Sequence, residues 1–444
     1  MSAVGARAAG FCAISDDDFS RVGIAQVFAH APRLDASGSS WLPFPFWLNG
    51  AAFAVLGRSL SVAVALAGLG AGAAGVLLYA AAGHVPGSPW QRAAAALAVL
   101  CLPIAPFRAA ATVPELLAAA LAVYGLAALG AGSPRAAVLG GLALLAATLS
   151  RYEVWPLALV GALLALRRVR AHGAFGVAAS LAIAGPLGWM LWNRHAHGDA
   201  LWFLRRVAAF REAAGAESGS FVAYPWVFLR DGAALVLAVA LAGIPRSRAT
   251  AASLLAEARP SLLLGSAGGL LFLVAGDVVG GAPTHHPERA LLPAWSALAL
   301  AVIPLLDPRR LAAVLATAAV VLAVRARQLL PTFVDRREAI GEGYALRSLV
   351  PVGERIVVVR DTYATEATRA AFGRAEDLFP VVSSRFDARS QEDPLLSAET
   401  LRAAAERRGA RYVGVDASRR DLARAVGHGE TSVGSLVVVR LRTQ

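Results

Sequence analysis

Apolar runs of close to 20 residues, separated by short loops that carry arginine, recur from residue 60 to residue 330. A run of this length crosses the about 30 Å hydrocarbon core of a bilayer as a helix. Inside that core every backbone N–H and C=O must be satisfied within the chain, which restricts a spanning segment to a helix or a closed barrel. Runs this long and continuous suit helices. Composition agrees: 57% of residues are hydrophobic and 16% are charged, against about 25% charged in soluble domains. The sequence therefore predicts an all-α polytopic membrane protein.

A short first segment covers about 3–14, and a polar and aromatic stretch follows over 15–58. Further spans are expected over 60–82, 91–108, 114–131, 136–150, 154–167, 173–193, 226–244, 261–280, 290–306 and 310–330, about eleven transmembrane helices in all. Residues 3–14 would extend only about 18 Å as a helix. Either that helix is tucked against its neighbours or the true chain begins upstream; the second is the simpler account. Arg7 interrupts the run, and there is no recognisable cleavable signal peptide.

Arginine sets the sidedness. If the 15–58 loop faces outward, the inner loops hold Arg92; Arg135; Arg167, Arg168 and Arg170; Arg246, Arg248 and Arg259; and Arg309 and Arg310. Every inner loop is basic, which puts them in the cytoplasm. The net charge of +12, carried by arginine with no lysine, is thus a matter of topology, and nucleic acid is not an expected partner. Arg205, Arg206 and Arg211 are the outer-side exceptions. Cys12 and Cys101 both lie in apolar stretches and suggest neither a disulfide framework nor a zinc site.

The first 330 residues form one expected domain and 331–444 a second, a small extracytoplasmic α/β unit. In it "RIVVVR" (355–360), "RYVGVD" (411–416) and "LVVVR" (436–440) read as buried strands, with helices over 365–375 and 398–409 between them. Alternating strands and helices argue a partly parallel sheet. No phosphate-binding glycine motif accompanies them.

Chemistry concentrates at the outer boundary. "SDDDFSR" (15–21) places Asp16, Asp17 and Asp18 just after the first segment. A helix N-terminus accounts for Asp18 through a capping-box pattern with Ser15, and partly for Asp16. It gives no reason for Asp17, although Arg21 is four residues on and could pair with it. Carboxylates at a membrane boundary are costly unless paired or lining an aqueous cavity, and one of them is a candidate general base. "SSWLPFPFWLNG" (39–50), with Trp41, is either an aromatic belt or a surface for a lipid-linked substrate, and 46–57 reads as an in-plane helix. Arg151 and Glu153 occupy the outer turn of a helical hairpin, as a snorkelling pair or facing the aspartates. "THHPERALLP" (284–293) gathers His285, His286, Glu288 and Arg289. The His spacing is wrong for two ligands on one helix face, whereas Arg289 suits a phosphate. "HGDALWFLRR" (197–206), with Asp199, Arg205 and Arg206, reads as a membrane-surface helix.

With these residues in view, the chain resembles the GT-C superfamily of integral-membrane glycosyltransferases, in particular the bacterial relatives of protein O-mannosyltransferase and the lipid A aminoarabinose transferase. The family pattern Asp-Glu-x-x-x-Ala-x-x-Ala is mirrored by "DDFSRVGIA", aligning Asp17 and Asp18 with its two acids, with Asp16 as the competing register. "ERALLP" places Arg289 at the family's late-helix arginine, with Ala290 where an aromatic usually stands, and "HGDALWFL" resembles the stretch after the seventh helix. The resemblance covers most of 11–330. It implies a GT-C fold and an inverting hexosyl- or pentosyltransferase of the bacterial plasma membrane. The donor would be a polyprenyl-phosphate sugar and the acceptor a lipid, glycan or protein outside the cytoplasm. Asp17 would be the base; Arg289, with Arg151 and Arg205, would hold the donor phosphate; Glu153, His285, His286, Glu288 and Trp41 would line the substrate. A divalent metal is compatible with this chemistry but not required by it. The other readings are a transporter or lipid flippase, which predicts midplane charges and related broken helices, and a catalytically inactive scaffold of the same fold. Asp277, near the outer end of its span, is the acid inside a late span.

Overall fold

In the computed structural model, residues 3–213, 221–243, 259–279, 286–382 and 393–442 are described. The membrane part begins with α1 (Ala3–Ala8), α2 (Asp17–His30), α3 (Phe44–Leu56) and α4 (Leu60–Ala82). It continues with α5 (Pro89–Leu100), α6 (Ala105–Ala110), α7 (Glu115–Gly130), α8 (Pro134–Thr148), α9 (Trp155–Leu166), α10 (Ala174–His197) and α11 (Trp202–Ala213). Next come α12 (Ala223–Asp231), α13 (Ala233–Ala242), α14 (Arg259–Val279), α15 (Glu288–Val302) and α16 (Pro308–Leu329). Among the described residues, five helices are long and apolar enough to cross a bilayer, six if the bent pair α12–α13 counts as one span, and α3, α7, α8 and α9 are shorter apolar helices. The chain is an integral membrane protein.

Three expected spans differ in detail. The 3–14 segment is not one helix: α1 ends at Ala8, Gly10 turns at φ +90°, and Ala13 forms an antiparallel bridge with Val334. The 91–108 span breaks around Pro103, which has no N–H to continue the ladder, into α5 and α6. The 226–244 span bends by 76° at Gly232. There a Cβ would lie 2.5 Å from the Trp295 indole nitrogen, so only glycine lets the bend approach α15.

α7 and α15 are buried on nearly every face and form the centre of the bundle. Around α7 pack α4, α8, α9, α14 and α15. Small residues allow it: a Cβ on Gly125 would stand 2.6 Å from the Gly140 carbonyl oxygen, and one on Gly140 2.9 Å from that of Gly125. Such close backbone approach is how helices gain packing energy in lipid, where no hydrophobic drive separates them from the tails. α3 buries Phe46, Gly50 and Phe53, packs on α2, and leaves Leu48, Val55 and Leu56 exposed as an apolar face.

Beyond α16 come α17 (Arg337–Leu349), β1 (Ile356–Arg360), α18 (Ala364–Phe372), β2 (Leu378–Val382), α19 (Ala398–Glu406), β3 (Tyr412–Asp416), α20 (Arg420–Val426), β4 (Gly427–Val433) and β5 (Leu436–Leu441). The sheet order is β2-β1-β3-β5-β4; β2, β1 and β3 are parallel, and β5 pairs antiparallel with β3 and β4. Both faces of β1 are buried, which explains its unbroken Ile-Val-Val-Val run. Arg360 ends it inside the fold, held by both oxygens of Glu342 at 2.8 and 2.9 Å and by Asp416 at 3.1 Å.

Candidate active site

Consecutive helical residues point about 100° apart, and the three aspartates at the start of α2 diverge accordingly. Asp16 turns to the C-terminal unit, where Arg336 Nε and Nη2 donate to its two oxygens at 2.7 and 2.9 Å. Asp18 is buried against the loop before α7. Its carboxylate accepts the Ser15 N–H and the Thr112 N–H, each at 3.3 Å, and the Thr112 hydroxyl donates to its carbonyl. The Ser15 bond is one half of the expected capping box. Burial pushes the Asp18 carboxyl up to about 6, with Arg108 opposing the rise. Asp17 alone is substantially open, 43% exposed, and its oxygen lies 3.7 Å from Arg289 Nη1.

Arg289 reaches Asp17 from the first turn of α15. Beside it Arg151 Nη1 lies 3.2 Å from Glu115 Oε1, and its Nε donates to Glu153 at 3.1 Å. Arg108 stands 3.5 Å from the same Glu115 oxygen, with both side chains almost fully buried. Arg21 lies over the Trp41 ring at 4.5 Å and near Phe46 at 5.8 Å, within electrostatic reach of Glu115, Arg151, Asp17 and Arg289. The expected Arg21–Asp17 helix pair is thus replaced by stacking that turns the guanidinium into the cluster. Tyr224, buried on α12, faces the same group of charges.

Four arginines therefore surround the N-termini of α2, α7 and α15. Helix N-termini carry partial positive charge and free N–H groups and favour anions. Among the described residues, four buried donors in the cluster have no protein acceptor: Arg108 Nε and Nη2, Arg21 Nε and Arg289 Nε. A guanidinium offers a planar fork matched to phosphate oxygens. The arrangement combines one accessible carboxylate with donors fitted to a phosphate.

The remaining expected residues fall elsewhere. Arg205 is exposed and ion-paired with Asp199. Glu288 joins Arg230 at 3.1 Å and Arg325 at 3.5 Å, and Asp231 lies 2.7 Å from each of the same arginines, so this acid braces the start of α15 beside Arg289. His286 adopts φ 51° and packs its ring on Phe333 at 5.3 Å. His285 lies outside the described residues. Among the described residues, no group of three or more His, Cys, Asp or Glu is arranged to hold a metal. Sequence reasoning does not single out Glu115, Arg108 or Arg21 as site residues. Glu115 carried the necessary signal, an acid opening an apolar span on the outer side.

No protein-family model matches the chain, and no curated protein sequence matches it. Solved structures do. The helical membrane bundle followed by a small α/β unit has the GT-C fold of ArnT. The chain is similar to ArnT from Cupriavidus metallidurans bound to undecaprenyl phosphate: TM-score 0.57, 16% identity, covering 95% of this chain and 93% of that one. It is also similar to ArnT from the same organism in the apo state, with TM-score 0.54, 15% identity and coverage of 95% and 92%. The fold expected from the resemblance is therefore the fold observed.

Proposed function

We propose that this protein is an inverting glycosyltransferase that moves a sugar from a polyprenyl-phosphate donor to an acceptor hydroxyl on a lipid, glycan or protein. The arginine-rich loops, read by the positive-inside rule, support a reaction on the extracytoplasmic side of a bacterial plasma membrane. The observation that carries this reading is the meeting of an open carboxylate, Asp17, with Arg289 and Arg151 at the convergence of three helix N-termini. The undecaprenyl phosphate held by the similarly folded ArnT supports the donor class.

Asp17 accepts the proton of the acceptor hydroxyl. The oxygen bonds to the anomeric carbon from the face opposite the phosphate. The bond from that carbon to the phosphate oxygen breaks, and its electron pair leaves on the polyprenyl phosphate. General-base help of this kind contributes about 10²–10⁴ in rate. Arg289 and Arg151, joined by Arg21 and Arg108, offset the charge that grows on the leaving phosphate, the largest sort of electrostatic contribution in such sites. Arg205, already paired with Asp199, is the weaker phosphate candidate.

The test is transfer from polyprenyl-phosphate-linked hexoses and pentoses by the purified protein, beside a titration with undecaprenyl phosphate. The reading expects transfer of at least one sugar and binding weakened by Arg289→Ala. Neither transfer nor saturable binding across the panel would refute it.

A further inference from the structure

The C-terminal unit grips the helix that carries Asp17. Asp16, Ser20, Gly23 and Gln26 occupy one face of α2, and every one of them meets that unit. Asp16 takes the two-pronged bond from Arg336. Glu366, in the first turn of α18, lies against Ser20. Gly23 leaves room for Arg369, whose Cδ would lie 3.5 Å from an added Cβ. Gln26, fully buried, donates to the Ala370 carbonyl at 2.8 Å and to the Arg58 carbonyl at 3.1 Å. Arg58, at the link between α3 and α4, pairs with Glu376 at 2.6 Å. The bridge between Ala13 and Val334 closes the same contact just before α2. The 16-20-23-26 spacing dedicates this face to the tail and turns Asp17, about 100° around the helix, to the arginines.

We propose that Arg336 is a positioning residue: by fixing Asp16 it locks the first turn of α2 and aims Asp17, so the C-terminal unit sets the geometry of the reaction rather than merely covering it. This rests on the glycosyl-transfer reading above. A bidentate guanidinium–carboxylate pair fixes orientation as well as distance, and a misplacement of about 1 Å at a reacting group can cost on the order of 10²-fold in rate. Arg336 touches neither Asp17 nor the arginine cluster through any described contact, so its effect falls on turnover and not on phosphate binding.

The full-length protein carries its own reporter. The Cys12 thiol is half-buried beside the Arg336 backbone, and Cys101→Ala leaves it as the single thiol. In that background Arg336→Ala, Arg336→Lys and the exchange Asp16→Arg with Arg336→Asp are compared for kcat, KM for the lipid-linked sugar, undecaprenyl phosphate binding and maleimide labelling of Cys12. Arg336→Ala should lower kcat by about 10–100-fold with KM and binding within about twofold, and should speed labelling by about tenfold as the contact opens. Arg336→Lys should fall between, and the exchange should recover most of kcat and protection. Faster labelling with unchanged kcat would overturn the proposal, as would an exchange variant as slow as Arg336→Ala. An unaltered protein that transfers no sugar would instead refute the reading beneath it, and the proposal with it.

Discussion

Arg151 lies 3.2 Å from Glu115, joining the outer turn of the α8–α9 hairpin to the start of the central helix α7. The same Glu115 oxygen faces Arg108 at 3.5 Å. One buried carboxylate thus balances two of the arginines assigned to phosphate binding. Glu115→Gln should take the ion-pair partner from the buried Arg108, while Arg151 keeps Glu153, and destabilise the protein by about 3–5 kcal/mol, read as a fall in melting temperature in detergent. A melting temperature equal to the unaltered protein's would show that the pair is balanced by other groups.

The buried Asp18 carboxyl gives a pH signature. Burial raises it to about 6, above the unfolded value of about 4, so the folded state holds its proton more tightly. The stability it contributes is complete below about pH 4 and is lost as pH rises through about 6. Asp18→Asn removes the ionisation but keeps a carbonyl oxygen for only one of the two N–H donors, since Ser15 and Thr112 bond different carboxylate oxygens, a cost that does not change with pH. The variant's melting temperature relative to the unaltered protein's should be highest near pH 7.5 and fall towards pH 4. A gap that does not change with pH would contradict the raised value.

Asp231 and Glu288 share Arg230 and Arg325 beside Arg289. Asp231→Asn and Arg325→Gln should each destabilise, and together by less than their sum, with a coupling of about 1–3 kcal/mol. Full additivity in thermal unfolding would show that the two side chains act independently. The broken span at Gly232 is a feature the transport reading expects, but its acid is held between two arginines.

Trp41 backs the Arg21 guanidinium at 4.5 Å. A cation over a partly desolvated ring gains about 1–2 kcal/mol, so Trp41→Ala should weaken undecaprenyl phosphate binding by about 5–30-fold. Trp41→Phe should retain most of the affinity. Unchanged binding in Trp41→Ala would place Arg21 outside the phosphate site.

Helix positions were legible because run length in a lipid phase leaves little freedom: 60–82 coincides with α4, and 114–131 with α7 to within a residue at each end. The breaks after Leu100 and at Gly232 were not legible, since hydropathy registers burial and not direction. In the C-terminal unit the buried strands β1, β3 and β5 declare themselves by β-branched runs. β2 contains Pro380 and lies at a sheet edge, where proline is tolerated, and β4 is exposed along most of its length. Of the site, the Asp17–Arg289 meeting follows from sidedness, which brings distant loops to one layer. The diversion of Asp16 to Arg336 spans 320 residues of sequence and has no local signature.

In the proposed reaction Asp17 takes the acceptor proton. The direct measurement is single-turnover sugar transfer by Asp17→Asn beside Asp16→Asn and Asp18→Asn, with undecaprenyl phosphate binding measured on the same samples. The account predicts that Asp17→Asn loses about 10²–10⁴ in rate while still binding the lipid phosphate, and that the other two keep most of the transfer. Transfer by Asp17→Asn at the unaltered rate would contradict it.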